Sequence, residues 1–117
     1  MKPDNEESLG LEVERHGRAA VVHVRGSVGL GEAAGLRKQL CDLCDAQCHP
    51  VVLDLEQMYF IASAGLGAMV EAHLKLRHHE GQLRLLKPQP SIRRLFETTR
   101  LTKLFPMYED AGAALTA

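Results

Sequence analysis

Residues 59–67 have the sequence Tyr-Phe-Ile-Ala-Ser-Ala-Gly-Leu-Gly, and one apolar pattern gives way to another there. Before them, Val51-Val52-Leu53-Asp54-Leu55 is a nearly continuous apolar run, typical of a strand covered on both faces. After them, apolar residues recur at the spacing of one helix face, at Leu66, Met69, Val70 and Leu74. Ser63 therefore lies close to the start of a predicted helix, where free backbone N–H groups and the helix dipole favour a negative group.

Further strands are predicted on both sides of this segment. Short apolar or alternating runs cover residues 11–14, 20–25 and 83–86. His16-Gly17-Arg18 is typical of a turn, so the first two strands are expected to form an antiparallel hairpin. The three glycines between Gly26 and Gly31 predict a loop after the second strand.

Helices are predicted between these strands. The apolar face of the first is formed by Ala33, Leu36, Leu40, Leu43 and Cys44, and this helix ends before His49-Pro50. The helix after Ser63 is expected to reach about His79, with Gly81 as its left-handed C-terminal residue. Ser91 is predicted to cap a third helix, and a short helix is predicted from Asp110.

The alternation of strands and helices predicts one α/β domain over residues 9–117, with residues 1–8 as a flexible tail. Because the first hairpin is antiparallel, the sheet is expected to be mixed. The helices are expected to pack against it as a single layer, mainly on one face.

Composition excludes several classes of protein. The 117 residues are 45% hydrophobic and 25% charged, with a formal net charge of −1, so no basic field favours nucleic acid. The longest apolar runs are far shorter than the roughly 20 residues that cross a bilayer. The polar, acidic N-terminus is unlike a signal peptide, so a cytoplasmic location without membrane insertion is expected.

Three cysteines, Cys41, Cys44 and Cys48, precede His49. Their odd number argues against a disulfide framework. On a helix they would form a stripe about 60° wide. A metal or iron–sulfur site with His49 as fourth ligand is one interpretation, and packing of small side chains at the edge of the core is the other. Because no second cysteine pair is present, the packing interpretation is favoured, and neither metal nor cofactor is expected.

Serine catalysis is a further alternative for Ser63. Residues 62–65 resemble half of a G-x-S-x-G nucleophile elbow, but Ile61 replaces the first glycine. His73 lies ten residues along the serine's own helix, about 15 Å away, and cannot reach the hydroxyl. His78 and His79 are expected, with His73, at a solvated helix end. No catalytic residue is therefore assigned, and the chain is not expected to be an enzyme.

The segment from Val51 to Gly67 resembles the STAS family, the anti-sigma-factor antagonists of bacteria. Those domains have a V-L-D-L strand followed by F-[IM]-D-S-[SA]-G-L-G leading into a helix. The resemblance continues through residues 80–85, 90–96 and 101–105, and covers roughly residues 10–115. It implies a STAS-like mixed sheet backed by helices, and a binding module rather than an enzyme.

The resemblance also implies that Ser63 accepts a phosphate. In sigma-regulating members, an anti-sigma factor with serine kinase activity uses ATP to modify this serine, and a PP2C-type phosphatase reverses the reaction. The unmodified form binds the anti-sigma factor. The partner-binding residues that the resemblance implies are Gly26, Ser27, Gly29, Ala62, Ser63, Ala64, Gly65, Leu66 and Gly67. The chain is expected to be a monomer, with ATP bound by the kinase.

Two positions depart from the family pattern. Ala62 stands where the family has an aspartate, and residues 26–29 are Gly-Ser-Val-Gly where members commonly have G-E-[LI]-D. The missing acids are expected to leave a neutral, flexible surface beside Ser63. The alternative function is therefore an interaction module without phosphorylation, in a stressosome-like scaffold or as an accessory subunit of a lipid transporter.

Overall fold

The computed structural model describes residues 9–116, in which five strands form one mixed sheet. The strands are β1 (Leu9–His16), β2 (Ala19–Val28), β3 (Val51–Ile61), β4 (Leu83–Leu86) and β5 (Met107–Tyr108), and they lie in this order across the sheet. β1 is antiparallel to β2, and the other neighbouring pairs are parallel. Gly17, with a φ of 63°, forms the predicted turn of the hairpin. The predicted tail, residues 1–8, lies outside the described residues.

Within residues 9–116, four α-helices pack on this sheet. They are α1 (Ala33–Asp45), α2 (Ser63–Arg77), α3 (Pro90–Thr98) and α4 (Ala111–Thr116), with a 3₁₀ turn at Leu101–Lys103. Helices α1, α2 and α3 share the main core with one face of the sheet, where Val22 and Leu53 are fully buried. Helix α4 packs on the other face through Ala114, against Val21 and Val52. The predicted mixed α/β architecture, with helices mainly on one face, is confirmed.

The pairing of β2 with β3 is irregular at two points. The register shifts by one residue after His23 and again after Gly26. Each shift is a β-bulge that gives β3 one extra residue, so β3 exposes two consecutive side chains at each point. The exposed pairs are Glu56 with Gln57, and Tyr59 with Phe60. The apolar run predicts a strand only over residues 51–55, and β3 continues to Ile61, because the bulges remove the alternation that would mark its second half.

The end of β2 also differs from the prediction. The loop expected from Gly26 begins only after Val28, so Gly26 and Ser27 are strand residues. Gly26 has a φ of 91°, a conformation that residues with a side chain rarely adopt.

Two helix boundaries differ from those predicted. Helix α2 ends at Arg77, and Glu80 rather than Gly81 has the positive φ, 59°. Helix α3 has Gln89 at its N-cap and Pro90 in its first turn, so Ser91 is not the cap. A proline is favoured there because its missing N–H is not needed in the first turn of a helix.

Candidate functional site

Ser63 lies where the carboxyl ends of β2 and β3 meet the start of α2. Val28 and Ile61 are the last paired residues of the two strands. The N–H of Ala62 donates to the carbonyl of Val28 at 2.8 Å, and Ser63 follows as the first residue of α2. The serine is exposed. Open α/β sheets bind their ligands at this end of their parallel strands.

The start of α2 has no side-chain cap. Ala62 is the N-cap residue, with the extended backbone usual there, and its methyl group cannot accept a hydrogen bond. Its carbonyl accepts the N–H groups of Gly65 and Leu66 at 2.9 and 3.1 Å. Within residues 9–116, the N–H groups of Ser63 and Ala64 have no such acceptor. Two donors and the positive end of the helix dipole therefore remain available to an anion beside the serine hydroxyl.

The nine residues expected to bind a partner are brought together at this end of the sheet. Gly26 and Ser27 lie near the end of β2, and Gly29 lies in the loop after it. Ala62 is the N-cap residue of α2, and the other five lie in the first two turns of that helix. Ser27, Ser63 and Gly67 are exposed, Gly65 is buried, and the half-buried ones are Gly26, Gly29, Ala62, Ala64 and Leu66.

Two glycines of α2 have different surroundings. A Cβ on Gly65 would lie 2.7 Å from Ile61 Cγ1 and 2.9 Å from Val28 Cγ1, so the helix approaches the sheet too closely for any side chain there. A Cβ on Gly67 would meet no atom within 4 Å. Packing inside the domain therefore requires a glycine at 65 and leaves 67 unconstrained.

Three large apolar side chains in the segments next to Ser63 are exposed and are not among the nine partner-binding residues named from the sequence. Leu30, Tyr59 and Phe60 are 79%, 65% and 53% exposed. Leu30 lies in the loop after β2, and the other two lie at the second bulge of β3. The bulge turns both consecutive aromatic side chains outward, and alternation in the sequence gives no sign of it. Tyr59 and Phe60 are consecutive, so together they expose apolar area of the kind that marks binding surfaces.

Glu32 is a second residue that the sequence analysis missed. It is the N-cap residue of α1, and its Oε1 accepts the N–H of Gly29 at 3.0 Å. The carbonyl of Gly29 in turn accepts the N–H of Ala33 at 3.0 Å. The loop after β2 therefore carries a carboxylate and is held by two hydrogen bonds, so the expectation of a neutral, flexible surface was wrong.

Comparison with known proteins identifies the family. The STAS domain family model matches residues 10–114. The chain belongs to the STAS domain family. This STAS domain is 26% identical over 110 residues to an anti-sigma F factor antagonist of Paenibacillus polymyxa, an alignment that covers 93% of this chain and 94% of that protein. It is 32% identical over 109 residues to BtrV of Bordetella bronchiseptica, a candidate anti-sigma factor antagonist, with the same coverage.

Solved structures agree with this assignment. An anti-sigma factor antagonist of Mycobacterium paratuberculosis superposes with a TM-score of 0.83 at 29% identity, covering 94% of this chain and 93% of that one. The Bacillus cell fate determinant SpoIIAA, in its phosphorylated form, has the same fold, with a TM-score of 0.72 at 19% identity over 89% of this chain and 96% of that one.

The three histidines in and just after α2 differ in their exposure. His73 is buried, which contradicts the expected solvated position, and its ring packs edge-on to Phe105 with centroids 5.7 Å apart. Burial, with a smaller effect of the Arg77 charge, lowers the pKa of His73. His78 and His79 are exposed. Leu74, expected on the apolar face, is 52% exposed.

On the other face of the sheet, His23 links three strands. Its Nδ1 lies 2.7 Å from Asp54 Oδ2 on β3, and its Nε2 lies 3.5 Å from Glu14 Oε2 on β1. Burial acts to lower the pKa of His23, but the hydrogen bond to Asp54 and the nearby carboxylate of Glu14 outweigh this effect and raise the pKa above 6.5. This cluster lies apart from the Ser63 site, on a different face of the sheet.

Cys41 and Cys44 lie in α1, and Cys48 lies after the end of that helix. Cys48 lies beyond Asp45, the last helical residue, so the expected helical stripe of three was wrong. Cys44 and Cys48 are buried in the core, and burial is the main cause that raises the pKa of Cys44 to about 11. Cys41 is partly exposed, and Lys75 Nζ lies 3.5 Å from its sulfur. In residues 9–116, no three histidine, cysteine or acidic side chains are placed to bind one metal ion.

None of the helices described between residues 9 and 116 combines the length and the apolar character needed to span a membrane.

Proposed function

We propose that this STAS domain is an anti-sigma factor antagonist that binds a kinase-type anti-sigma factor and releases it when Ser63 is phosphorylated. One observation carries the proposal: Ser63 is exposed at the uncapped start of α2. The relatives named as anti-sigma factor antagonists support the class of partner. The binding surface would comprise the serine, its neighbours in α2, and the end of β2 with its loop.

The unmodified surface suits a protein partner. Leu30, Tyr59 and Phe60 offer exposed apolar area in the two segments that lead to the Ser63 site, and aromatic side chains are frequent anchors of protein interfaces. The backbone of Ser63 is fixed through the Ala62–Val28 hydrogen bond, so little ordering is required when a partner binds.

Phosphorylation would change this surface in a defined way. The phosphate adds a charge of −1.5 to −2, which the free N–H groups of Ser63 and Ala64 and the helix dipole can stabilise in the free protein. In a complex, the same charge would be buried against the partner. Burying an unpaired charge costs several kcal/mol, enough to weaken binding by orders of magnitude.

The proposal assigns the remaining chemistry to other proteins. The kinase partner binds ATP and transfers the phosphate, a PP2C-type phosphatase removes it, and the STAS domain is the regulated substrate, not an enzyme. The phosphorylated SpoIIAA structure is a precedent for a modified domain of this fold. Because sigma factors act on RNA polymerase, the proposed location is cytoplasmic, and the proposed free form is a monomer.

The test begins with recovery of the partner from native lysate and its identification by mass spectrometry. With that purified kinase, Ser63→Ala is expected to bind as tightly as the wild type and Ser63→Asp at least about tenfold more weakly. ATP is expected to label the wild type and not Ser63→Ala. Equal affinity of the two variants, together with no phosphate at Ser63 in protein from native cells, would refute the switch.

A second function, an interaction module without phosphorylation, is favoured by one observation. Ala62 replaces the family's aspartate, and Ser27 and Gly29 carry no charge, so a kinase that recognises those acids would not find them. A stressosome-like scaffold or an accessory subunit of a lipid transporter would be recovered as partner in that case. A phosphopeptide containing Ser63 in protein from native cells would exclude this alternative.

A further inference from the structure

Two cysteines of α1, Cys41 and Cys44, lie one helical turn apart and away from the Ser63 surface. Three residues of helix place their Cα atoms about 5 Å apart and their side chains about 60° apart around the axis. A disulfide joins residues whose Cα atoms are roughly 4.4–6.8 Å apart. The helix therefore holds these two residues within the range of a disulfide bond.

The surroundings of Cys41 are open and positively charged. Cys41 is partly exposed and lines a groove of about 300 Å³ between α1 and α2, together with Arg37 and Lys75. Lys75 Nζ donates to its sulfur at 3.5 Å, and this hydrogen bond is the main cause that raises the pKa of Lys75. Cysteines that peroxides oxidise are accessible, lie in electropositive surroundings and often have a second cysteine beside them.

Cys44 has the opposite character. It is 2% exposed, so a dissolved oxidant reaches it far less readily than it reaches Cys41. Burial, followed by the negative charge of the neighbouring Cys41, raises the pKa of Cys44 to about 11. Oxidation of Cys41 to a neutral sulfenic acid removes the second of these causes. Cys41 is therefore the thiol that is oxidised first, and Cys44 is the thiol that reacts afterwards.

We propose that Cys41 and Cys44 are a dithiol that hydrogen peroxide converts into a disulfide within α1. The Cys41 thiolate attacks one peroxide oxygen, the O–O bond breaks and hydroxide leaves, which gives the sulfenic acid. The Cys44 sulfur then attacks the Cys41 sulfur, the S–O bond breaks, and the hydroxyl group leaves with the Cys44 proton as water. Two electrons pass from the thiols to the peroxide. The modification is independent of the proposed function, because neither cysteine belongs to the Ser63 surface.

The disulfide would weaken the contact between α1 and α2. The Cys44 thiol donates to the carbonyl of Ala72 at 3.7 Å, and Cys41 contacts Lys75, so both sulfurs are bonded to α2. A disulfide sulfur has neither an S–H group nor a negative charge. Both bonds are therefore lost on oxidation and restored on reduction.

Peptide mapping tests the pairing. Asp42 and Asp45 separate the three cysteines in sequence, so a protease that cleaves before aspartate places each cysteine in its own peptide. The reduced full chain is treated with hydrogen peroxide, and its free thiols are then blocked. The peptide that ends at Cys41 is expected to be joined to residues 42–44, and dithiothreitol is expected to separate them. No disulfide, a bond to Cys48, or a dimer joined through Cys41 would overturn the proposal.

Cysteine variants test the order of the two steps. Cys44→Ala is expected to accumulate a sulfenic acid at Cys41, which dimedone labels, and Cys41→Ser is expected to form no disulfide. Cys48→Ala is the control and is expected to form the disulfide as the wild type does. A dimedone label on Cys44 of the wild type, with none on Cys41, would overturn the assigned order.

The rate of Cys41 oxidation tests the role of Lys75. Lys75→Gln is expected to slow the reaction at least about threefold, since the cation beside the sulfur is removed. Lys38→Gln removes a charge from the same groove without a contact to the sulfur in the described residues, and it is expected to change the rate less than about 1.5-fold. An unchanged rate in Lys75→Gln would overturn the role assigned to this lysine.

Urea unfolding measures the effect on the two helices. The oxidised wild type is expected to unfold at a lower urea concentration than the reduced protein, and dithiothreitol is expected to restore the midpoint. Cys41→Ser treated with the same peroxide is expected to show no shift, which excludes oxidation elsewhere as the cause. A midpoint that stays the same or rises on oxidation of the wild type would overturn the predicted weakening of the α1–α2 contact.

Discussion

Gly65 lies against Ile61 so closely that a Cβ at position 65 would stand 2.7 Å from the Ile61 Cγ1 atom. This contact sets the distance between the start of α2 and the end of β3, and therefore the height of Ser63 above the sheet. Ile61 and Val28 are both β-branched, so neither side chain can turn away without leaving its preferred rotamer.

Gly65→Ala is expected to lower the free energy of unfolding by about 1–3 kcal/mol, because the added methyl group overpacks this contact. Gly67→Ala, the matched substitution two residues later, is expected to raise it by about 0.5–1 kcal/mol, because the site is open and alanine favours the helix. Urea unfolding followed by circular dichroism measures both. Equal effects of the two substitutions would contradict the packing described for Gly65.

Ala62→Asp is expected to stabilise the domain by about 1 kcal/mol, since an N-cap carboxylate can accept a free N–H group of α2. The gain is expected to disappear as the pH falls below about 3.9, where an aspartate becomes protonated. Ala62→Leu, which places a side chain at the same position without an acceptor, is the control. An equal gain in the leucine variant would show that capping is not the cause.

His73→Leu is expected to reduce the loss of stability between about pH 7.5 and about pH 5.5. The pKa of His73 is lowered by burial, so below 6.5 the unfolded chain takes up a proton that the folded protein does not. Stability contributed by neutral His73 is therefore present above 6.5 and is lost as the pH falls. Urea midpoints at the two pH values measure the effect, and His78→Gln on the exposed end of α2 is the control. If the stability of His73→Leu depends on pH as that of the wild type does, the lowered pKa of His73 is contradicted.

His23→Gln is expected to have the opposite effect. The pKa of His23 is raised, so its bonds to Asp54 and Glu14 contribute stability that is fully present below pH 6.5 and is lost as the pH rises through the folded pKa. The variant is therefore expected to lose more stability than the wild type on acidification from about pH 7.5 to about pH 5.5. Urea midpoints at the two pH values measure this loss of stability. A smaller loss in His23→Gln than in the wild type would contradict the raised pKa of His23.

Iodoacetamide is expected to alkylate Cys41 in the folded protein at least about tenfold faster than Cys44 or Cys48. Cys41 is partly exposed and contacts Lys75, whereas the other two are buried, and the pKa of Cys44 is raised to about 11. Peptide mapping after timed quenching gives the three rates. In urea the rates are expected to converge, and persistence of the difference there would show that folding does not cause it.

The outline of the fold followed from local patterns. The hairpin around Gly17, the buried strand from Val51 and the helix after Ser63 each have an apolar pattern or turn residue that is visible in the local sequence. The end of β3 has no such pattern. Its two bulges depend on pairing with β2, and each bulge leaves two consecutive side chains exposed. Strand β5 has only two residues and is formed by pairing with β4, so no periodicity marks it.

The position of Ser63 at the start of α2 could be predicted from sequence, because an apolar strand pattern gives way to helical spacing there. The surroundings of Ser63 could not be predicted in the same way. The restraint of the loop by Glu32 and the outward turn of Tyr59 with Phe60 depend on contacts between separate elements. The burial of His73 beside Phe105 has the same origin, since the two residues lie 32 positions apart.

The hydrogen bond from Ala62 to Val28 fixes the residue before Ser63 to the neighbouring strand. An enzyme that modifies this serine meets a rigid corner of a folded domain instead of an extended chain. Substrate recognition then resembles docking between two globular surfaces, and a short synthetic peptide spanning residues 59–67 would be a poor substitute for the whole domain. Under the proposed function, unfolding of the domain is expected to prevent phosphorylation as effectively as removal of the Ser63 hydroxyl.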